Sequence, residues 1–155
     1  ASAVKPSVMV PPGLNFAQKA PRVVAVSAAG GRETNPMEVS RISTDAFADA
    51  VTMALNQSGL FSSAIKGDKG DYKLSVKILN VDQPLFGGSF TVNMSTHWQM
   101  TDQHGRELFQ DFVRSSFTAT MGDAFAAATR LRLATEGAAR ENIKEGIQRL
   151  STLQL

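Results

Sequence analysis

The sequence has no cysteine and only two histidines among its 155 residues. The absence of cysteine excludes disulfides, thiol nucleophiles and zinc or iron–sulfur sites with cysteine ligands. The two histidines, His97 and His104, form neither an HxH nor an HExxH motif, which are spacings typical of metal sites. We therefore predict no metal and no cofactor, and we expect each histidine to lie at the surface.

The sequence also lacks a long apolar run and a dense cluster of basic residues. No stretch of about 18 apolar residues is present, so no helix is predicted to cross a membrane. The formal net charge is only +2, and the basic residues are scattered, which argues against nucleic acid as a partner. No GxSxG motif marks a catalytic serine. These absences favour a protein that is not an enzyme.

Proline is scarce except at the start of the chain, where residues 1–21 hold four of the six prolines. Proline removes backbone donors and favours extended conformations in the residue before it. We interpret residues 1–21 as an extended arm, which either forms a free tether or docks on the domain. Residues 22–150 are predicted to form a single α+β domain, and residues 151–155 a tail.

The hydrophobic pattern predicts the element order β-α-β-β-β-α. A β-branched run at residues 22–28 is typical of a strand, and an apolar stripe with helical spacing follows a cap at Ser43 or Thr44. Three amphipathic strands are predicted within Asp71–Thr120, and a long second helix from Asp123. We expect a mostly antiparallel, four-stranded sheet with two helices on one face.

The strand at residues 90–101 has the most regular alternation in the chain, and this alternation divides it into two faces. One face is apolar, which predicts core packing or, alternatively, a groove for a lipid or other apolar ligand. The apolar residues are Phe90, Val92, Met94, Trp98 and Met100. The other face is polar and uncharged, which is typical of a solvated surface or of a face that contacts partner proteins. The polar residues are Thr91, Asn93, Ser95, His97 and Gln99.

A glycine-rich loop connects the first strand to the first helix. The backbone N–H groups of such loops can bind phosphate, so Gly30, Gly31 and Arg32 are candidate anion-binding residues. Their spacing matches neither GxGxxG nor GxxxxGK[ST]. Because the loop is long, we expect the glycines to lie away from the helix N-terminus in a plain mobile loop.

Several segments carry a likeness to known proteins. They are ALNQSGLFSSA at residues 54–64, DYKLSVKI at residues 71–78, the strand with Trp98, the D-x-x-G-R turn at residues 102–106 and the Ala-rich last helix. Together they resemble small bacterial periplasmic and outer-membrane lipoproteins. Examples are the auxiliary lipoproteins of lipid-transport ABC systems, the amino-terminal domain of TolB, and the curli-assembly and penicillin-binding-protein-activator lipoproteins.

This resemblance implies a periplasmic protein, anchored to the outer membrane through a lipidated amino-terminal cysteine. The chain begins with Ala1, so the hypothesis is that an export signal or anchor has been removed. The implied function is a non-enzymatic envelope protein that docks partner proteins in transport or assembly, and self-association is a further possibility. One alternative is a lipid carrier with its ligand beside Trp98. A weaker one is a small enzyme that acts on nucleotide or acyl substrates through the Gly30–Arg32 loop.

Overall fold

The computed structural model describes residues 1–84 and 86–155. Within them the chain forms five strands and two α-helices, preceded by a short 3₁₀ helix at Pro6–Met9. In chain order the elements are β1 (Ala20–Ala29), α1 (Thr44–Ser58), β2 (Phe61–Lys66), β3 (Tyr72–Asp82), β4 (Phe90–Thr101), β5 (Glu107–Ala119) and α2 (Ala127–Leu150).

The strands form one mixed sheet in the order β2-β1-β3-β4-β5. Strand β1 is parallel to both of its neighbours, β2 and β3, whereas β3, β4 and β5 form an antiparallel meander. Both helices pack on the same face of the sheet and share one hydrophobic core with it. The predicted α+β class is confirmed, but the prediction of a mostly antiparallel, four-stranded sheet is wrong.

The strand that the sequence prediction lacked is β2, which forms one edge of the sheet. Only Phe61 and Ala64 of this strand are buried, so its sequence lacks the alternation that reveals a half-buried strand. The side chain of Asn56 on α1 bonds both backbone groups of Ala64, accepting from its N–H at 2.8 Å and donating to its C=O at 3.0 Å. These two bonds occupy backbone groups of Ala64 that would otherwise be available to another strand.

The limits of α1 agree with the capping pattern in the sequence. The Ser43 hydroxyl accepts a hydrogen bond from the Ala46 N–H at 3.1 Å, and Gly59 ends the helix with a φ of 75°, a conformation that glycine adopts without steric cost. Helix α2 begins at Ala127, later than predicted. The Asp123 carboxylate instead accepts from the N–H and hydroxyl of Thr120, which makes a turn before the helix.

Two bulges interrupt the alternation of the strands. One lies at Leu79 in β3, where the register shifts between Ile78 and Asn80. The other lies at Leu108, near the start of β5. A bulge lets apolar side chains change faces within one strand, which accounts for the adjacent Leu108 and Phe109. Phe112 lies beyond the bulge in regular register and is exposed.

The proline-rich arm packs against the domain. Met9 is fully buried in the core, and Val4 is 3% exposed. The Phe16 N–H donates to the Ser58 carbonyl at 2.8 Å, and Arg140 of α2 donates to the Val8 carbonyl at 3.0 Å. The short 3₁₀ helix thereby contacts both α1 and α2.

Candidate functional site

The face of the sheet opposite the helices is uncovered, and the five polar residues of β4 lie together on it. Thr91 and Asn93 are exposed, whereas Ser95, His97 and Gln99 are half-buried by their neighbours on the adjacent strands. The Thr91 and Thr118 hydroxyls are 2.7 Å apart, so one donates to the other across the strands. The face is therefore a continuous polar surface whose side chains are partly paired with one another.

One row across this face contains an exposed aromatic ring. Lys77 on β3, His97 on β4 and Phe112 on β5 are cross-strand neighbours. Phe112 is 58% exposed, and its ring centroid lies 4.8 Å from that of His97. A shallow depression of about 330 Å³ opens beside Lys77 and His97. This row gives the otherwise flat polar face an apolar feature and a concavity.

The apolar face of β4 is part of the core. All five of its predicted residues are buried, with exposed fractions of 0–4%: Phe90, Val92, Met94, Trp98 and Met100. The Trp98 ring lies directly against Gly146 of α2, which leaves no space between strand and helix for a ligand. This burial agrees with the core interpretation and gives no support to an apolar groove beside Trp98.

A second concave site lies where the carboxyl end of β3 meets the long loop before α1. This cleft has a volume of about 290 Å³. Its apolar lining is supplied by Ile42, Ile78, Leu79 and Val81, and Thr135 on α2 forms part of its wall. The polar groups that face it are supplied chiefly by Arg32, Arg41, Asn80 and Gln83, and Gly30 also lines it.

The two loop glycines allow the chain to pass close to its neighbours. A Cβ at Gly30 would lie 2.1 Å from the Ile78 carbonyl oxygen, and one at Gly31 would lie 2.1 Å from the Thr44 nitrogen. The expectation that the glycines lie away from the helix N-terminus is therefore wrong for Gly31, whereas Gly30 lies against Ile78 of β3. The Gly31 N–H donates to Thr44 Oγ1 at 2.9 Å, so it is not free to bind phosphate. Any anion here would be recognised by arginine side chains instead.

The arginine of this cleft that sequence reasoning missed is Arg41. Its Nη1 donates to Gln83 Oε1 at 2.9 Å, and Gln83 also bonds Thr135. These partners are 42 and 52 residues apart in the chain, so no local motif could have revealed them. Only Gly30, Gly31 and Arg32 had a sequence signal.

Two exposed phenylalanines also went unrecognised. Phe86 is 89% exposed and Phe125 is 84% exposed, in the loops that follow β3 and β5. Arg130 connects these loops because its guanidinium donates to the carbonyls of Gly87 and Phe125, at 3.3 and 2.9 Å. The phenylalanines in PLFGG and GDAFAA were the available signal, since large apolar residues are unusual in glycine-rich turns.

The part of the chain that the structure describes contains no group of three or more histidine, aspartate or glutamate residues suited to a metal ion. Among these residues, no helix combines the length and the apolar character needed to cross a membrane. Two surfaces of the described residues are candidates for binding: the uncovered sheet face and the arginine cleft.

Comparison with known proteins gives structural relatives only. No family model and no curated protein matches the sequence. A Xanthomonas campestris protein of the family DUF330 superposes with a TM-score of 0.65 and 16% identity, over 92% of this chain and 95% of its own. A protein described as a lipoprotein from Caulobacter crescentus has a TM-score of 0.53 and 19% identity, over 83% and 88% of the two chains. A minor lipoprotein from Acinetobacter baumannii has a TM-score of 0.52 and 9% identity, over 84% and 91%.

This chain shares its fold with two bacterial proteins described as lipoproteins and with the DUF330 protein. The resemblance drawn from the sequence is therefore confirmed at the level of fold. None of the three relatives is named as an enzyme.

Proposed function

We propose that this protein is a non-enzymatic component of the bacterial cell envelope that binds a partner protein through the uncovered face of its sheet. The observation that carries the proposal is the Lys77–His97–Phe112 row, in which a 58% exposed phenylalanine stands on a polar surface. Phenylalanine is among the aromatic residues that are enriched at the centres of protein interfaces.

The charges on this face favour a partner with an acidic surface. Lys73, Lys77 and Arg114 lie on it, and among the described residues none of the three forms an ion pair. The carboxylates of Asp82 and Glu107 lie at its opposite ends, level with Asn93 and Thr101. Complementary charge accelerates association and rejects wrong partners. We therefore propose a partner that has acidic residues around an apolar pocket for Phe112.

The same charges make a second copy of this chain a poor partner for the face, because basic residues would meet basic residues. A lipid-carrier function has no support from the filled space around Trp98. The enzyme alternative would use the cleft beside Arg32, yet its described lining includes no carboxylate and no histidine that could transfer a proton.

The cellular setting is also a proposal. Small lipoproteins share this fold, which supports a place in the periplasm, held at the outer membrane by a lipid anchor at the amino-terminal side. Docking of a partner there would serve envelope transport or assembly.

Affinity capture from an envelope extract, followed by titration of the purified partner, tests the docking proposal. We expect Phe112→Ser and Gln99→Glu each to weaken binding at least tenfold, and higher salt to weaken it further. Phe125→Ser is the matched control, since it removes a phenylalanine that is 84% exposed away from this face, and it should leave the affinity unchanged.

Three results would overturn the docking proposal. One is that Phe112→Ser and Gln99→Glu retain every partner at wild-type affinity. Another is that Phe125→Ser loses as much affinity as Phe112→Ser. The third is a homodimer, seen by sedimentation, that Phe112→Ser abolishes, because the face would then serve self-association.

A further inference from the structure

We propose that the cleft between Arg32 and Arg41 binds an oxyanion, a phosphate or carboxylate group, carried on a short apolar body. The cleft lies beyond the carboxyl end of β3, and the partner-binding face described above does not include it. This site therefore goes beyond the docking function and does not depend on it.

The Arg41 guanidinium is held in a fixed orientation. Its Nη1 donates to Gln83 Oε1 at 2.9 Å. The Gln83 amide nitrogen in turn donates to the Ser40 carbonyl at 2.9 Å and to Thr135 Oγ1 at 3.0 Å. Ser40 and Thr135 are both buried, so the amide cannot rotate without breaking bonds to two fixed partners. A guanidinium positioned in this way loses little entropy when it binds an anion.

Most of the hydrogen-bonding capacity of Arg41 is unused. A guanidinium has five N–H donors, and the only side-chain bond that Arg41 makes to a described residue is the one to Gln83. Its planar fork suits bidentate binding of a carboxylate or phosphate. The backbone of Arg41 is fixed as well, because its N–H donates to Thr34 Oγ1 at 2.9 Å, and the Thr34 hydroxyl donates back to its carbonyl at 3.2 Å.

Arg32 lines the same cleft and adds a second positive charge. The backbone N–H of Arg32 donates to the Ile42 carbonyl at 2.8 Å. This bond places Arg32 opposite Ile42, the residue that follows Arg41. Two like charges in one cleft repel each other unless something neutralises them, and such a cleft raises the local concentration of anions.

No carboxylate of the described residues performs this neutralisation. None lines the cleft, and none lies within ion-pair distance of Arg32 or Arg41. The carboxylate of Asp82, which follows the lining residue Val81, accepts a bond from the Asn80 side chain at 3.0 Å. Among the described residues, no negative charge thus compensates the two arginines of the cleft.

Four apolar residues share the lining with the polar groups: Ile42, Ile78, Leu79 and Val81. Ile42 and Ile78 are buried at 4% and 5% exposure, whereas Leu79 is 46% exposed at the β3 bulge. Bulges commonly redirect a side chain beside a functional site, and here Leu79 adds a contact that hydrocarbon could cover. A ligand that carried only charge would leave this surface unused.

The volume limits the size of the ligand. The cleft holds about 290 Å³, or on the order of ten water molecules at about 30 Å³ each. This is near the lower end of ligand pockets, which span roughly 300–1,000 Å³. It accommodates an anionic group and a few carbon atoms but not a complete lipid. The ligand is therefore either a small free organic anion or the headgroup region of an anionic lipid.

Calorimetric titration of the purified chain tests the proposal with hexyl phosphate, hexanoate, inorganic phosphate and hexanol as probes. We expect hexyl phosphate and hexanoate to bind, inorganic phosphate to bind at least tenfold more weakly, and hexanol not to bind. Arg32→Ala combined with Arg41→Gln should lower the affinity for hexyl phosphate at least tenfold, and Leu79→Ser should lower it several-fold.

Arg22→Ala is the matched control, because it removes an exposed arginine near the start of β1, outside the cleft. It should bind every probe like the wild type. Arg32→Ala alone provides the test if Arg41→Gln disturbs folding, since the Arg32 side chain is exposed; thermal melts check this. Vesicles of phosphatidic acid, compared with phosphatidylcholine vesicles, distinguish a lipid headgroup from a free anion.

Equal binding of hexyl phosphate by wild type and the double variant would overturn the proposal. So would an equal loss in Arg22→Ala, because binding would then reflect net charge alone. Inorganic phosphate that binds as tightly as hexyl phosphate would also overturn it, since the apolar lining would then contribute nothing.

Discussion

Gly146 of α2 lies against the indole ring of Trp98 on β4. A Cβ at position 146 would be 2.4 Å from Trp98 Cζ2, far inside van der Waals contact. Trp98 is fully buried, so its ring has no free space into which to move. The absence of a side chain at this glycine sets how closely α2 approaches the centre of the sheet.

Gly146→Ala is therefore expected to destabilise the protein. Alanine favours a helix over glycine by about 1 kcal/mol, but overpacking a core costs about 1–3 kcal/mol. We expect the steric cost to exceed the helical gain because the indole is rigid and enclosed. Urea denaturation followed by Trp98 fluorescence measures the change.

Gly122→Ala serves as the control for this prediction. A Cβ at position 122 would lie 3.5 Å from Thr120 Oγ1, which is an ordinary contact, so the free energy of unfolding should change by less than about 0.5 kcal/mol. A Gly146→Ala variant more stable than the wild type would show that the helix moves away from Trp98 without cost.

Much of this arrangement could be predicted from periodicity. The stripe of α1, its cap at Ser43 and its end at Gly59 are local features, because a helix is specified by residues three or four positions apart. The alternation of β4 likewise predicted which face of the strand is buried. The edge strand β2 could not be found in this way, since a parallel strand with few buried residues depends on β1, which is distant in sequence.

The arginine cleft shows the limit of local patterns more clearly. Arg32 was a candidate only because it follows two glycines, and the length of the loop argued against an anion site there. The loop folds back, so that Gly31 contacts Thr44, while Gln83 reaches the site from the end of β3. The Arg41–Gln83 hydrogen bond joins residues that are 42 positions apart. It depends on the whole fold and cannot be read from local sequence spacing.

Thr96 is the one polar residue on the buried face of β4, and it connects β4 to α2. Its hydroxyl donates to Asn142 Oδ1 at 2.6 Å and accepts from Trp98 Nε1 at 2.8 Å. Asn142 Nδ2 donates to the Val113 carbonyl at 3.1 Å. Every member of this network is buried, so each hydrogen bond lost leaves a polar group in a dry core.

Thr96→Val is expected to lower the free energy of unfolding by roughly 2–6 kcal/mol. The substitution leaves Asn142 Oδ1 and Trp98 Nε1 without this partner, at about 1–3 kcal/mol for each buried group. Thr96→Ser keeps the hydroxyl and loses one methyl group, so it should cost only about 1 kcal/mol. Equal costs in urea denaturation would mean that packing at position 96, and not hydrogen bonding, stabilises the fold.

Glu136 gives the protein a predictable response to acid. Burial raises the pKa of its carboxyl above the usual 4.5, although Arg132 and Arg140 act to lower it. A raised pKa in the folded state means that Glu136 stabilises the fold fully below pH 4.5 and that this stabilisation is lost as the pH rises through the folded pKa. At neutral pH the ionised carboxylate is therefore a net cost.

Glu136→Gln should accordingly melt at a higher temperature than the wild type at pH 7. The difference should disappear below about pH 4, where the carboxyl is protonated in both folded and unfolded states. Glu33→Gln, in an exposed loop, should match the wild type within about 0.5 kcal/mol at both pH values. A Glu136→Gln variant less stable at pH 7 would show that the 3.8 Å contact between Arg132 Nε and the carboxylate outweighs the cost of burial.

A substitution in the proline-rich arm distinguishes an arm that is packed on the domain from a free tether. Met9 is fully buried among core residues, and removing a buried methionine side chain costs about 2–5 kcal/mol. Met9→Ala should therefore destabilise the whole domain in urea and expose the arm to proteolysis, whereas Met37→Ala, at a side chain that is 91% exposed, should do neither. If Met9→Ala changed the free energy of unfolding by less than about 0.5 kcal/mol, the arm would be a tether that rests on the helices without stabilising them. A loss of several kcal/mol would instead make the arm part of the folding unit, because Val4, Met9 and Leu14 belong to the same core as the two helices.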